Sequence, residues 1–339
     1  GYVPEDDTPK EADGGSDDEK EDVSGTYGTH GKLEELRIDE AVRIASGEVR
    51  IFENKKLIFA NRIKVENSQL LFKNCNISID METSEAKNPN GHFIDMSKGT
   101  VSFEDCVIGD WNNLFISAFY AAKLIIKNCR IFKVEKFWDG NRGNVEIWHS
   151  CIEPKPCGIL DEDRPFDSKS LFYGANITIS NTTIKGNVKF DAAELLRINE
   201  CRFHGITDLS IPINTEVYRS NFENCCVMVK FNSGGKYEYK EKGGVFQSCE
   251  FKACTFKTRR HENNLMCFEN SKLLFCVGTL PTRYMKDVMA GGGFLCIDTD
   301  KEVQMERCHF TDFSYKKYIS GSDDENIYDL FPFYSFTPD

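Results

Sequence analysis

Carboxylates are concentrated in one interior stretch of the chain, residues 153–168. Four acids lie there within seven residues: Asp161, Glu162, Asp163 and Asp167. Closely spaced oxygen ligands are typical of Ca²⁺ sites, and two carboxylates can supply the acid and the base of a hydrolytic reaction. Acids in a surface loop are more often simply solvated. We therefore treat Asp161, Asp163 and the adjacent Arg164 as candidate binding residues, and the sequence predicts no bound metal.

Aromatic residues form a second candidate site. Strand alternation places Phe137 and Trp138 on opposite sides of the chain, so we expect at least one of them to be exposed or to lie under a loop. Exposed rings would bind a sugar or a protein, whereas buried rings would belong to the core. The sequence predicts a binding surface at Trp111, Trp138, Asp139 and Arg142, beside the acidic loop.

The C-terminal segment 330–339 is densely aromatic and contains Phe331, Phe333 and Tyr334. One interpretation is that these rings fold back over the preceding structure as a cap. The other is a linear peptide that docks onto a partner. Both interpretations make the three residues candidates for binding.

Histidine and cysteine spacing does not favour a metal or a cofactor. His149, His204 and His309 lie at different offsets from their nearest cysteines, so they would not align in a column. The chain has no Cys-x-x-Cys pair and no glycine-rich phosphate loop. A cysteine nucleophile with a remote histidine stays open, and we predict no cofactor.

A repeat must position these residues. The phrase V/L-x-F/I-x-x-C-x-I/F recurs, for example at residues 101–108 (VSFEDCVI) and 124–131 (LIIKNCRI). Val101 and Phe103 share one side of an extended chain, but the step of three from Phe103 to Cys106 breaks strand parity. A bend restores it, and Asn and Asp, frequent at that position, tolerate a left-handed backbone. The unit is therefore strand, turn, strand, bend and short strand.

We call the cysteine position of this motif the slot. Aligning the copies of the motif on the slot predicts eleven coils with a mean spacing of (308 − 54)/10, about 25 residues. The slot residues are Asn54, Cys75, Cys106, Cys129, Cys151, Thr182, Cys201, Phe222, Cys249, Gly278 and Cys308. So short a unit must stack on copies of itself. Leucine-rich repeats share part of this pattern, but they need a further leucine and a helical segment. Strand-like alternation between the copies favours a β-helix.

Residues 291–310 (GGGFLCIDTDKEVQMERCHF) resemble the coil repeat of right-handed parallel β-helix proteins of the pectate-lyase-like superfamily. The resemblance covers residues 41–312. It implies the fold, but that fold serves lyases, hydrolases, adhesins, phage spikes and intracellular binding modules. Residues 61–64 contain the RIK string of polygalacturonases without its partner motifs, and the pectate-lyase string RxPxxR is absent.

Charge and cysteine usage bear on the compartment. The formal net charge is −12, of which residues 1–30 contribute −8 through ten acids and two lysines. This balance does not favour a nucleic acid partner, and no apolar run is long enough to span a membrane. Cysteines at a repeated inward slot are typical of reduced core residues and favour the cytoplasm. Three glycosylation sequons would favour secretion instead.

The sequence thus predicts an all-β protein, a right-handed parallel β-helix of about eleven coils with a disordered acidic tail. Its predicted parts are residues 1–31 (acidic linker), 32–40 (N-terminal cap), 41–312 (β-helix) and 313–339 (C-terminal cap or tail). The favoured function is a non-enzymatic, cytoplasmic scaffold that binds another protein, as the C-terminal part of a larger chain. The alternatives are a carbohydrate-active enzyme or sugar-binding protein, and a secreted adhesin or spike. The oligomeric state stays open.

Overall fold

The computed structural model describes most of the repeat region. The described residues are 28–29, 31–88, 91–155, 171–205, 209–212, 215–230, 244–257, 266–280, 282–298, 304–311, 314–318 and 330–332. They form thirty-two β-strands and one helical turn, α1 Ser84–Lys87.

The first strands, in chain order, are β1 Glu34–Ile38, β2 Val42–Ile44, β3 Val49–Glu53, β4 Lys55–Phe59, β5 Ile63–Lys73, β6 Asn76–Ile79, β7 Ile94–Glu104, β8 Val107–Ala118, β9 Ala122–Lys127, β10 Arg130–Trp148, β11 Cys151–Glu153, β12 Phe172–Ser180, β13 Thr183–Lys185, β14 Val188–Asn199, β15 Arg202–His204 and β16 Leu209–Pro212. The remaining strands are β17 Thr215–Tyr218, β18 Asn221–Glu223, β19 Cys226–Lys230, β20 Val245–Gln247, β21 Glu250–Lys252, β22 Thr255–Lys257, β23 Met266–Glu269, β24 Lys272–Leu274, β25 Val277–Leu280, β26 Thr282–Lys286, β27 Met289–Gly291, β28 Phe294–Asp298, β29 Gln304–Glu306, β30 His309–Thr311, β31 Ser314–Tyr318 and β32 Leu330–Pro332.

Strand pairing shows how the chain winds. β5 pairs in parallel with β7, and β7 in parallel with β9, one coil further along. In the described part of the chain the pattern continues to β28 with β31, and only β32 pairs antiparallel, with β31. Stacked parallel strands of one chain form a parallel β-helix, which confirms the predicted fold.

Each coil passes through three faces. In the coil that contains Cys106, residues 94–96 form face A, residues 100–104 form face B and residues 107–109 form face C. The same positions of successive coils are neighbours on each face, about 4.8 Å apart. We call each such level a rung.

The corner between faces B and C is the predicted bend. Its residues have φ between 46° and 56°, in the left-handed region. They are Asn54, Asn74, Asp105, Asn128, His149, Asn181, Glu200, Arg219, Ser248, Asn270, Asp287 and Arg307. Asn or Asp, which adopt this conformation at least cost, occupy seven of the twelve. The left-handed bend is thus confirmed, and the described residues hold one corner more than the spacing predicts.

The residue after the bend is buried at ten of the twelve corners, the exceptions being Lys55 and Cys308 in the first and last of them. The predicted slot is wrong at several rungs. Asn54 is itself a bend residue. The slot residue is Ser150 rather than Cys151, and Ser220 rather than Phe222. The shift has a chemical reason, since a serine hydroxyl fills the slot as well as a thiol does.

Gly278 does not belong to this slot, which corrects a further prediction. It pairs with Phe256 on face A. The interval between the slot residues Cys249 and Cys308 holds two corners, whose slot residues are Ser271 and Val288. Neither residue is a cysteine, so the motif did not reveal these two short coils.

Slot hydroxyls bond one rung to the next. The amide N–H of Cys129 donates to Ser150 Oγ over 3.1 Å, and the amide of Cys201 donates to Ser220 Oγ over the same distance. Both serines are fully buried. A buried hydroxyl costs little when it is hydrogen-bonded, so these bonds explain why serine and cysteine exchange at this slot.

A second left-handed column lies at the corner between faces C and A. Its bends in the C-terminal coils have φ between 51° and 64°: Asn224, Ala253, Phe275 and Gly292. The residues after the first three bends are buried thiols: Cys225, Cys254 and Cys276. Two corner columns, rather than the one that the motif predicts, therefore turn side chains inward.

The described cysteines agree with the predicted core ladder. All twelve are free thiols and nine of them are buried. Burial raises the pKa of Cys201 and of Cys249 from the ordinary 9.0 to about 12. These thiols are therefore protonated, apolar core groups at neutral pH.

The N-terminal part of the β-helix begins earlier than the sequence predicts. The predicted cap at residues 32–40 contains β1, which pairs in parallel with β4 and forms the first rung of face C. Just upstream, Gly28 is buried against the flank, because a Cβ at this position would lie 2.4 Å from Val107 Cγ2.

No helix in the described part of the chain has the length and apolarity that a membrane span requires.

Candidate binding site at an exposed aromatic corner

The two tryptophans of the predicted binding surface lie in the interior. Trp111 is 1% exposed and Trp138 is 0% exposed. Trp111 packs against Phe115, with 4.6 Å between ring centroids. The prediction that these rings meet a ligand on the surface is therefore wrong.

The alternation expected for Phe137 and Trp138 is broken because the backbone contains a β-bulge at these residues. The amides of Phe137 and Trp138 both donate to Leu171 O, over 3.0 and 3.2 Å. Two successive residues thus oppose one residue of the next rung, as in a β-bulge. Both side chains can then turn inward, and Phe137 is buried as well.

The exposed rings of this region belong to Phe119 and Tyr120. They lie in the turn between faces A and B, directly after β8, and are 56% and 59% exposed. Lys98 lies on the rung below, with Nζ 5.9 Å from the centroid of the Tyr120 ring. We call Lys98, Phe119, Tyr120 and Arg142 the aromatic corner.

Tyr120 has an unfavourable backbone. Its φ is 58°, in the left-handed region that bulky residues seldom adopt. The amide of Ala122 donates to Tyr120 O over 3.0 Å, which closes a tight turn. The turn therefore projects two adjacent rings away from the β-helix.

Buried Trp138 lies beside two glycines of the turn that stacks on the aromatic corner. Gly140 and Gly143 make room for it, since a Cβ on Gly140 would lie 2.9 Å from Trp138 Nε1 and one on Gly143 would lie 2.7 Å from Trp138 Cζ2. Gly143 also approaches Ala122 O, so the two turns stack closely.

Charged side chains surround the corner. Arg142 is exposed in the turn one rung above Tyr120, as expected for a surface residue. Two rungs below Tyr120, Glu66 is the register partner of Lys98 and accepts hydrogen bonds from Arg43. This bond and one from Lys64 lower the pKa of Glu66, so it stays ionised at neutral pH.

Polar groups line face A beside the corner. Asp95, Ser117, Asp139 and Tyr173 are register partners on four successive rungs. Asp139 forms an ion pair with Lys136 over 2.6 Å. The sequence predicts Asp139 as a site residue but not Asp95 or Ser117, because only the pairing of successive rungs brings the three together.

Of the remaining predicted site residues, only the backbone of Phe331 is described by the structure. Asp161, Asp163 and Arg164 are outside the described residues, as are Phe333 and Tyr334. The backbone of Phe331 belongs to β32, opposite Tyr315 of β31. Its strand thus lies against the last described strand of face A.

The sequence does contain a signal for the aromatic corner, namely two adjacent aromatic residues just before a copy of the repeat. Phe119 and Tyr120 directly precede the strand that leads to Cys129, at a position where a turn must occur. Two neighbouring rings in a tight turn cannot both enter the core. Among the described residues, no group of three His, Cys, Asp or Glu side chains is arranged to hold a metal ion.

Stacked coils with inward corner residues define the chain as a parallel β-helix repeat protein. A search of solved structures finds a similarity to the crystal structure of bacteriophage CBA120 tailspike protein 3, with a TM-score of 0.30 and 10% sequence identity. The alignment covers 87% of this chain and 58% of the tailspike chain. No family model and no curated protein matches the sequence.

Proposed function

We propose that this protein is a rigid, non-enzymatic binding module that engages another protein through the aromatic corner. The observation that carries the proposal is the pair of exposed rings at Phe119 and Tyr120 on a left-handed turn. A bulky residue at positive φ costs about 1 kcal/mol or more. Positive φ recurs at the corners of this β-helix, so it is the two adjacent exposed rings, rather than the backbone conformation, that make the turn a candidate contact surface.

The composition of the corner matches a protein interface. Binding energy in interfaces is concentrated in aromatic and arginine side chains, within a rim of charged groups. Here Phe119 and Tyr120 provide the anchors, and Lys98, Arg142 and Asp139 provide charges of both signs. Because the hydrogen bond from the Ala122 amide to Tyr120 O already fixes the backbone of the turn, little loop entropy is lost on binding.

The thiols support a reducing compartment. The twelve described cysteines are free, and nine are buried, eight of them in the corner columns. We therefore propose a cytoplasmic location. The test is a thiol titration of protein purified without reductant: reaction of the buried thiols only after denaturation agrees with the proposal, whereas cysteines still blocked in denaturant would contradict it.

Photocrosslinking tests the binding surface directly. Benzoylphenylalanine replaces Phe119 in one protein and Phe275, an exposed aromatic on another corner, in the control. We expect a protein captured from the native host by the first probe and absent with the second. Equal capture at both positions would reject the aromatic corner as the specific surface.

Affinity measurements follow once that partner is purified. Tyr120→Ala should weaken its binding about tenfold or more, as hot-spot truncations do. Phe275→Ala should leave the dissociation constant unchanged. An unchanged constant for Tyr120→Ala and Phe119→Ala would overturn the proposal.

Sugar binding is a second candidate, favoured by the polar row on face A. Asp95, Ser117 and Asp139 present hydrogen-bonding groups at one-rung spacing beside two exposed rings. Carbohydrate ligands use both kinds of contact. Binding on a glycan array that is lost in Asp139→Asn, together with no protein captured by the probe at position 119, would favour this function.

A further inference from the structure

The first coil leaves three strand edges open. β1 pairs with β4, and β2 and β3 pair with β5. Within the described residues, none of the three has a partner on its other side. At the opposite end, β32 lies antiparallel on β31 and covers the edge of face A, while β29 and β30 have no further partner among the described residues. Unpaired edges readily accept a further strand, and repeat proteins normally cover them.

The end that carries these edges is also apolar. Leu36 is 36% exposed, Val49 56% and Ile51 50%. Phe52 is half-buried and stacks on Phe72 with 5.5 Å between centroids, so the aromatic column of the core runs to this end of the rod. A ligand for this surface must therefore supply both strand hydrogen bonds and apolar contacts.

The described residues upstream of β1 lie along the flank and do not cover the open end. Gly28 lies against Val107, and β1 is three rungs lower on face C, in line with Lys56, Asn76 and Val107. The chain thus descends the flank to reach the first rung. Residues 1–27 contain ten acids and two lysines but few apolar residues, a composition poorly suited to covering an apolar surface.

The strand β1 is complementary to itself. The amide of Glu34 donates to Asn54 O, and the amide of Ala60 donates to Ile38 O, so the even-numbered residues bond to β4. By alternation, the backbone groups of Glu35 and Arg37 face the open edge. In an antiparallel pair of two β1 strands centred on Leu36, each Glu35 lies opposite Arg37 of the second copy.

We infer that a second copy of this chain covers the first coil, with the two rods head to head about a two-fold axis. The edge backbone groups of Glu35 and Arg37 then form the hydrogen-bonded pairs of an antiparallel ladder. The two Leu36 side chains meet on the axis. Glu35 pairs with Lys56 and Arg37 with Asp39 and Asp80 inside each chain, and in the dimer each of the two also lies opposite a charge of the other sign from the second copy. This inference is independent of the aromatic corner.

A charge-swap cycle on the full chain tests the register. Self-association is measured by sedimentation equilibrium for the unchanged chain, Glu35→Arg, Arg37→Glu and the double variant. Each single change places two pairs of like charges across the junction, and we expect a dissociation constant at least about tenfold higher. The double change restores opposite charges and should return the constant to within about threefold.

A backbone test is separate from charge. Glu48 O accepts from Gln69 N, and the amide of Asn54 donates to Lys73 O, so Ile51 by alternation directs its amide to the open edge. Ile51→Pro removes a donor that β5 does not use, and we expect it to weaken the dimer about tenfold or more. Met289→Lys, an exposed position in a later coil, is the matched control and should have no effect.

The possible outcomes are distinguishable because each variant is also checked by thermal melting. A folded chain that stays monomeric at the highest attainable concentration overturns the inference. A dimer whose dissociation constant does not respond to the charge swap or to Ile51→Pro uses another surface, and this overturns it as well.

Discussion

Tyr120 and Phe275 occupy the same kind of backbone position in two different surroundings. Their φ values are 58° and 56°, and their side chains are 59% and 61% exposed. Both lie at corners of the β-helix, where asparagine or glycine would cost less. The contacts of the two rings nevertheless differ.

Phe275 is explained by the architecture of its column. It is one of the left-handed bends between faces C and A, and the next residue, Cys276, is buried. A Cβ on Gly292, one rung above, would lie 2.6 Å from Phe275 Cδ1, so the ring lies across that glycine. The conformation is required by the coil, and packing stabilises the ring.

Positive φ also recurs in the column of Tyr120, at Gly47, Asn67 and Gly99 in the turns between faces A and B of the three lower rungs. Tyr120 differs from Phe275 in its surroundings. The residue that follows it, Ala121, is exposed rather than buried. Its ring lies near the ammonium group of Lys98 and is otherwise open to solvent. Positive φ therefore reports the fold at both corners, whereas the pair of exposed rings beside charged side chains makes the Tyr120 turn the candidate for binding.

The largest expected effect concerns the glycines that adjoin the two corners. Gly99 has φ of 99°, and a Cβ there would lie 2.1 Å from Ser68 O, which is rigid backbone. Gly99→Ala should therefore lower the free energy of unfolding by about 3 kcal/mol. Gly292→Ala meets only the Phe275 ring, which can rotate, and should cost about 1 kcal/mol. Urea denaturation measures both, and equal losses would contradict the distinction.

Ring truncation gives the next largest effect. Tyr120→Ala should weaken partner binding about tenfold to a hundredfold, roughly 1.4–2.7 kcal/mol, with the free energy of unfolding changed by less than about 0.5 kcal/mol. Phe275→Ala should show the reverse, a loss of stability with unchanged binding. Titration calorimetry and urea denaturation on the same two variants decide this, and a shared pattern would remove the contrast.

Alkaline pH tests the thiol columns. Burial raises the pKa of Cys249 from 9.0 to about 12, so the folded state holds this proton more tightly than the unfolded state. Its contribution to stability is therefore complete below pH 9 and is lost as the pH rises towards 12. At pH 10 the loss is about 1 kcal/mol.

The matched control for that pH dependence is Cys249→Ser, because Ser220 and Ser271 fill the same slot on adjacent rungs. We expect the fall in unfolding free energy between pH 8 and pH 10 to be smaller by about 1 kcal/mol in this variant. An identical fall in both proteins would show that the thiol does not contribute.

The smallest effect is relief of backbone strain. Tyr120→Asn should raise the free energy of unfolding by about 0.5–1 kcal/mol, because asparagine adopts positive φ more readily. Phe275→Asn should gain less, because it loses the packing on Gly292. Thermal melting of the two variants measures the difference, and a larger gain for Phe275→Asn would reverse our assignment of the two corners.

The sequence predicted the repeat because cysteine and aliphatic residues alternate with strict spacing around a bend. It misplaced four slot positions, since serine and valine also fit the slot, as at Ser150 and Val288. The left-handed bends could be predicted from Asn and Asp, but the bends at Tyr120 and Phe275 could not, because no local propensity favours them there.

The candidate site was only partly predictable. Asp139 and Arg142 lie on the surface as expected, but the tryptophans lie beneath it. A bulge at Phe137 and Trp138 changes which sides of the strand they occupy, and it depends on the hydrogen bonds to Leu171 in the next coil. Contacts between coils of different length cannot be deduced from one repeat alone.

Constant rung spacing makes the rod a molecular ruler. On face A, Arg43, Lys64, Asp95 and Ser117 mark the first four rungs, and Tyr120 follows the fourth. In a head-to-head pair the two-fold axis crosses face C, so both copies present Tyr120 along the same edge, seven spacings or roughly 34 Å apart. A bivalent ligand with that separation would gain avidity through its effective concentration, and one of different length would not.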